Sequence, residues 1–328
     1  MDDRILARLR CPVCAEPLVE TTAGTARALR CPRRHSFDVA RQGYVNLLAG
    51  RAPHTGDSAE MVAARADFLA AGHYDPVAAA LAAKAEEIVS GSSHLCSAAP
   101  DAAPGNEGCC ADGCRAKDTT QAPSVARLSP AGDSDREAYP LVVDAGAGTG
   151  WYLAAVLAAL PDTVGLALDV AKPALRRAAR AHPRAAAALA DTWQRLPLAD
   201  RSATVLLNVF APRNGAEFHR VLDPTGALLV VTPTGDHLAE LVEALDLLRV
   251  DPAKADRVAG SLSGQFTEES AAEHRARLEL SRTEVATLVG MGPSAWHADP
   301  ARLAERIAAL PEPVPVTLAV RLAVHRPR

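Results

Sequence analysis

Apolar residues along the chain fall in short continuous runs that end on acids or amides, with helical stretches between them. The runs are 141–145, 166–169, 185–190, 204–212 and 227–232; the stretches 151–160, 173–182, 216–222 and 236–249 have helical length and composition. Short runs with no polar alternation are what strands covered on both faces look like. Their alternation with helices predicts an α/β fold, a mostly parallel, doubly wound sheet. Two late runs, 276–280 and 315–324, flank a helix at 281–288 and add a final strand pair, antiparallel at one edge. Upstream, residues 18–29 read as a hairpin turning at Gly24. Residues 57–90 read as two helices, with Pro76 opening the second. Residues 90–138 are rich in Ser, Gly, Ala, Pro and Asp and almost lack large apolar side chains. That composition predicts a disordered insertion between modules. The expected organisation is a small unit at 1–50, a helical bridge at 51–89, the insertion at 90–138 and a large α/β domain at 139–328.

Composition narrows the class. With 328 residues, 48% of them hydrophobic, the chain can build one large core and a smaller one. A net charge of −4 excludes a global basic field, so any nucleic-acid surface must be a local patch. No apolar run approaches the roughly 20 residues of a membrane span. The acidic start, Met1-Asp2-Asp3-Arg4, runs into a cysteine motif and does not read as a signal peptide. Seven cysteines, three of them at metal spacing, point to a reducing cytoplasm.

The richest stretch is Leu141-Val142-Val143-Asp144-Ala145-Gly146-Ala147-Gly148-Thr149-Gly150. A buried strand ends beside an acid, small residues follow, and a helix begins. Gly146, Gly148 and Gly150 clear side chains from the backbone, so a ligand can approach it with Thr149 between them. About 20 residues on, a second run ends in Asp169, where a ribose diol is commonly held. The third run ends in Asp191, a position that commonly faces an adenine amine. The spacing Gly-x-Gly-x-Gly after an acid looks like motif I of the S-adenosylmethionine methyltransferases. A nicotinamide nucleotide, or a plain turn without ligand, stays open at this point.

The N-terminal unit carries its own chemistry. Cys11-Pro12-Val13-Cys14 and Cys31-Pro32-Arg33-Arg34-His35 are two close ligand pairs one hairpin apart. Four sulfur and imidazole donors so arranged suit tetrahedral zinc, with no position left open for substrate. The alternative, a redox-active Cys-x-x-Cys, does not account for the second pair. So small a unit needs a staple, and metal binding supplies folding energy. Arg33, Arg34, Arg41 and Arg51 interleave with Phe37 and Tyr44, a mixture that suits loop RNA through phosphate contacts and stacking. Packing of the two aromatics against the zinc unit is the other possibility. Cys96, Cys109, Cys110, Cys114 and His94 fall in or beside the insertion, and a second metal site there is a remote alternative.

Taken together, the motifs resemble one family. Cys11-x-x-Cys14, Cys31-x-x-x-His35, Phe37-Asp38, Gly43-Tyr44-Val45-Asn46-Leu47-Leu48, Met61-Val62-x-x-Arg65, Phe68-Leu69 and Gly72-His73-Tyr74 precede motif I. Asn208-Val209-Phe210-Ala211-Pro212-Arg213-Asn214, Thr232-Pro233, Asp236-His237-Leu238-Ala239-Glu240-Leu241 and Met291-Gly292-Pro293-Ser294-Ala295-Trp296-His297 follow it. The order is similar to that of the 23S rRNA (guanine-N1)-methyltransferases, closest to the actinobacterial branch that confers resistance to tylosin-type macrolides. The resemblance covers nearly the whole chain except 90–138. It implies a class I, Rossmann-like methyltransferase sheet with a small zinc-ribbon-like N-terminal domain. It also implies zinc on Cys11, Cys14, Cys31 and His35, cofactor contacts at Tyr74, at the turn from Gly148 to Gly150 and at His237, and a homodimer. The substrate it implies is a guanine in a domain II hairpin loop of 23S rRNA.

For that chemistry the loop after the fourth strand supplies the expected catalytic residues. Asn208 would read the base edge, Phe210 would stack on the base, and Arg213 would balance developing negative charge or hold a phosphate. No carboxylate in this loop stands out as the proton acceptor. A small-molecule S-adenosylmethionine methyltransferase would not need a zinc knuckle flanked by arginines. A zinc-dependent RNA-binding module that has lost activity would not need Asp144, the glycine turn and Asp169 intact.

Overall fold

A computed structural model describes residues 1–23, 26–50, 56–96, 139–247, 260–292 and 299–328. The chain opens with a short helix, α1 (Asp3–Leu6), whose first turn is capped by the Asp2 carboxylate accepting the Arg4 N–H. Strands β1 (Val19–Ala23), β2 (Ala26–Arg30) and β3 (Ser36–Asp38) form a small antiparallel sheet. The hairpin expected at 18–29 is β1–β2; Gly24 lies outside the described residues. The chain then contributes β4 (Val45–Asn46) before α2 (Ala59–Ala70), capped by Ser58, and α3 (Asp75–Cys96). Helix α3 therefore takes in the first residues of the expected insertion, and residues 97–138 lie outside the described ones.

The large unit alternates as expected: β5 (Leu141–Ala145), α4 (Trp151–Ala159), β6 (Val164–Asp169), α5 (Lys172–Ala178), β7 (Ala185–Leu189), β8 (Ala203–Val209), α6 (Gly215–Val221), β9 (Leu222–Pro233) and α7 (Ala239–Leu245). After β10 (Phe266–Leu280) come α8 (Arg282–Gly290), α9 (Pro300–Ala308) and β11 (Val314–Pro327). The sheet order is β10-β11-β9-β8-β5-β6-β7-β4. Strands β4 to β9 run parallel, and β11 is antiparallel to both β9 and β10. From β5 the chain moves to β6 and β7 on one side, then returns to β8 and β9 on the other. The crevice at this reversal opens at the carboxyl ends of β5 and β8. The last antiparallel pair is much longer than the runs 276–280 and 315–324, because most of β10 is exposed and carries no apolar signal. Helix α7 starts later than 236 because Thr234 and Asp236 close a turn and Leu238 takes a left-handed conformation.

Each strand feeds alternate side chains to opposite faces, so the sheet has two cores. One gathers Val142, Val205, Leu207 and Val209 with helices α3, α4 and α8. The other gathers Leu141, Val143, Leu166, Leu168 and Leu206. On this second face the connection from β7 to β8 forms no helix, and Pro197 within it lacks the N–H a helix interior requires. The N-terminal unit fills the place. Ile5, Leu9, Leu18, Leu29, Cys11 and Cys31 join the same core as the strands and as Leu196 and Leu198. Backbone bonds stitch the seam: Arg10 N–H to Pro197 O and Ala199 N–H to Arg8 O, both 2.9 Å. β4 extends the large sheet by pairing with β7. Phe37 is half-buried against the second core, and Tyr44 is buried in the first, so Tyr44 offers no face for stacking. Their packing follows from the chain dipping into the shared core around β3 and β4.

Leu9 is fully buried at this seam. Leu9→Ala is expected to cost about 2–5 kcal/mol. The loss should appear as one cooperative transition moved to lower temperature in a calorimetric scan, with no separate early melting of the N-terminal unit.

Candidate active site and metal centre

The glycine turn links β5 to α4. Gly146, Gly148 and Gly150 all take positive φ. At Gly146 a β-carbon would lie 2.4 Å from the Ala211 Cβ, so the turn also needs glycine to let the β8 loop approach. Thr149 is buried between the last two glycines. Asp169 ends β6 and braces the turn: its two oxygens accept the N–H groups of Gly148 and Ala171, both at 2.8 Å.

The crevice at the strand ends is lined by acceptors. Both oxygens of Asp144 on β5, Oδ2 of Asp191 after β7 and Oδ1 of Asn208 on β8 are buried without a hydrogen-bond partner among the described residues. Each such atom costs free energy until a ligand donor or water satisfies it. Burial, reinforced by the charge of Asp169, pushes the Asp144 carboxyl up to about 8. Burial also raises Asp169, against the pull of the two backbone N–H groups. A ligand that satisfies this lining brings donors and positive charge. A ribose diol, an adenine amine and a cationic amino-acid tail fit; a nicotinamide dinucleotide, whose two phosphates need donors, fits poorly. The chemistry of S-adenosylmethionine matches this lining, and Asp144, Asp169, Asp191 and the turn Gly146–Gly150 are the residues that would hold it.

Three aromatic rings mark the mouth. Tyr74, Phe210 and His237 stand 6.1–6.3 Å apart between ring centroids, with Phe210 and His237 stacked. The Ala319 N–H donates to His237 Nδ1 (3.2 Å), which places the neutral ring's proton on Nε2, 3.3 Å from the Tyr74 hydroxyl. Burial pushes the Tyr74 hydroxyl well above its usual range, so it keeps a proton to donate. Phe210 is 39% exposed and sits at φ 53°, a left-handed conformation costly for an aromatic residue. Such strain collects at functional loops.

The other expected residues sit differently. Asn208 is fully buried, and its amide nitrogen donates to Ala145 O (3.1 Å) and Pro212 O (2.8 Å). It ties the β8 loop to β5, and only Oδ1 remains for a ligand. Arg213 has its Nε buried with no partner among the described residues, and its charge bears on His325 of β11. Trp193, absent from the sequence reading, is 55% exposed beside Asp191. Its N–H binds Asp191 Oδ1 (3.0 Å) and its carbonyl accepts from Asn214 (3.3 Å). The signal available was a tryptophan two residues after a strand-terminal acid.

In the N-terminal unit Cys11, Cys14, Cys31 and His35 offer four donor atoms all within 4.8 Å of one another. Cys14 Sγ to Cys31 Sγ is 3.6 Å, and His35 Nδ1 is 3.5 Å from Cys11 Sγ and 3.3 Å from Cys31 Sγ. Tetrahedral zinc needs donors roughly 3.5–3.8 Å apart, so the set fits that ion. Ala15, just after the first knuckle, and Arg34, just before His35 in the second, turn left-handed and wrap the backbone around the site. Arg33, Arg34 and Arg41 are exposed on this unit, Arg33 within 3.8 Å of Glu16; Arg51 lies outside the described residues.

Comparison with known proteins agrees with both halves of this geometry. Residues 9–52 match the zinc-ribbon family model described as RlmA, N-terminal. Over its whole length the chain is 45% identical to the 23S rRNA (guanine(748)-N(1))-methyltransferase of Streptomyces fradiae, covering 99% of that protein. The chain belongs to the 23S rRNA (guanine-N1)-methyltransferases. A protein of Micromonospora griseorubida provisionally given the same activity is 61% identical, each chain covered completely. A Bacillus subtilis protein, YxjB, again provisionally named for it, is 28% identical over 88% of this chain and 87% of its own. Among the described residues of this methyltransferase no helix is long and apolar enough to cross a membrane.

Asp144 gives the crevice a pH signature. An unfolded aspartate ionises near pH 4, roughly. Between that value and about 8 the folded chain holds a proton that the unfolded chain has lost. Stability without ligand should therefore fall as pH rises through this window, and Asp144→Asn should flatten the slope in denaturant titrations. An unchanged slope in the variant would assign the shift elsewhere.

Proposed function

We propose that this methyltransferase transfers a methyl group from S-adenosylmethionine to N1 of a guanine in a hairpin loop of 23S rRNA, at the position for which the Streptomyces fradiae relative is named, 748. The observation that carries this reading is the crevice of unpartnered acceptors at the sheet's reversal point, joined to a zinc-ribbon unit that exposes arginines. Bound there, S-adenosylmethionine supplies an electrophilic methyl group on a positively charged sulfur.

The chain's own residues do the rest. Asp144, Asp169 and Asp191 hold the donor-bearing parts of the cofactor, while Tyr74 and His237 close its tail side with a hydroxyl and a ring. Guanine N1 carries a proton at neutral pH, so the base must be held while that proton leaves. Loop RNA lowers the cost of extruding the base. Phe210, strained outward at the mouth, offers it a stacking face. Asn208 fixes the loop that presents Phe210, and its remaining oxygen faces inward. Alignment of N1 with the methyl group supplies several kcal/mol of the barrier, on the order of other well-oriented reactions. Arg33, Arg34 and Arg41, with Arg51, supply phosphate contacts from the zinc unit. Arg213 would balance developing negative charge or hold a phosphate. A homodimer would double this basic surface around one hairpin. The protein works in the cytoplasm, where rRNA and the reducing conditions that keep zinc thiolates intact are found. Resistance to tylosin-type macrolides is the expected consequence of a methyl group placed beside the drug site.

Primer extension on 23S rRNA treated with enzyme and cofactor tests the reading, because a methyl on N1 blocks base pairing and halts reverse transcriptase. A new stop is expected next to the position equivalent to 748; full-length extension by an enzyme that binds the cofactor would overturn it. Reversing Arg33, Arg34 and Arg41 to Glu should raise KM for RNA by about 10-fold or more and weaken its salt dependence while cofactor affinity holds.

A further inference from the structure

Arg65 lies on α2, far in sequence from the glycine turn, yet its guanidinium stands over that turn. Its Nη1 is 3.5 Å from where a β-carbon on Gly148 would be. Two separate segments hold it there: Nη1 donates to the Asp57 carboxylate, and Nη2 donates to the Met291 carbonyl oxygen at 3.0 Å. Its charge is felt at Asp169, at the end of β6. The unpartnered acceptors at the strand ends suit a ligand's donors, and none of them suits an anion. A methyl donor with an amino-acid tail also brings a carboxylate. That carboxylate needs a cation where the ligand can lie closest to the backbone, which is at Gly148. A guanidinium presents five N–H groups in a planar fork matched to carboxylate, and two are committed here.

The geometry assigns to Arg65 the carboxylate of the methyl donor's amino-acid moiety, with Asp57 as the anion that holds the fork in place before the ligand arrives. This rests on the reading of the crevice as an S-adenosylmethionine site. Asp57 and the carbonyl of Met291 belong to segments far apart in the chain, so one side chain both ties these segments together and recognises the ligand.

Calorimetric titration with S-adenosylhomocysteine and with its decarboxylated analogue tests the assignment on the wild type, Arg65→Ala and Asp57→Asn. The wild type should prefer the carboxylated ligand by about 10- to 100-fold, and Arg65→Ala should reduce that preference to less than about threefold. Asp57→Asn removes a competing charge and should enlarge the preference. A wild type that binds both ligands equally, or an Arg65→Ala variant that keeps the wild-type preference, would overturn the assignment. If Arg65→Ala does not fold, Asp57→Asn decides: an enlarged preference supports the assignment and an unchanged one overturns it. A wild type that binds neither ligand would overturn the methyl-donor reading itself; loss of the Arg65 effect alone would leave that reading standing.

Discussion

A doubly wound sheet must be covered on both faces, and here one face lacks a crossover helix between β7 and β8. The N-terminal unit covers it. Its Leu9, Leu18 and Leu29 lie in one core with Leu141, Val143 and Leu166 of the sheet, and two of its cysteines are buried there as well. The metal that gathers Cys11, Cys14, Cys31 and His35 is thus a staple for the cover of the catalytic sheet. It does more than shape a separate RNA-binding head. This coupling also fixes where the exposed arginines stand relative to the crevice, since the backbone bonds between 8–10 and 197–199 leave the two units no independent hinge.

The second constraint is electrostatic. Three strand ends deliver buried oxygens to the carboxyl edge of the sheet with no hydrogen-bond partner among the described residues. Stability is given up there, and it is recovered when a donor-rich, positively charged ligand fills the crevice. The strain at Phe210 belongs with it: Asn208 ties the loop to β5, and Phe210 within that loop is left-handed and exposed. This arrangement suits the proposed roles, a cofactor on the inner side and a planar base on the outer side.

Much of this was legible in the sequence. The strand runs, the acids at 144, 169 and 191, the glycine turn and the paired knuckles are local patterns whose chemistry follows from spacing. What was not legible depends on contacts between distant segments. Asn208 reads as a base-contacting amide, but its two donors are spent on Ala145 and Pro212. Phe37 and Tyr44 leave stacking and packing both open in sequence; the chain buries Tyr44 in one core and half-buries Phe37 against the other. Arg65 is one letter of a motif until Asp57 and Met291 converge on it. The long exposed strand β10 carries no alternation to betray it, because neither of its faces is buried for most of its length.

The most direct test of the coupled account is hydrogen exchange followed with and without a zinc chelator. If the N-terminal unit is the cover of the sheet, removing the metal should speed exchange at the amides of β5 and β6 (Leu141–Ala145 and Val164–Asp169) together with those of β1 to β3. Faster exchange confined to residues 1–50, with β5 and β6 as protected as before, would contradict it.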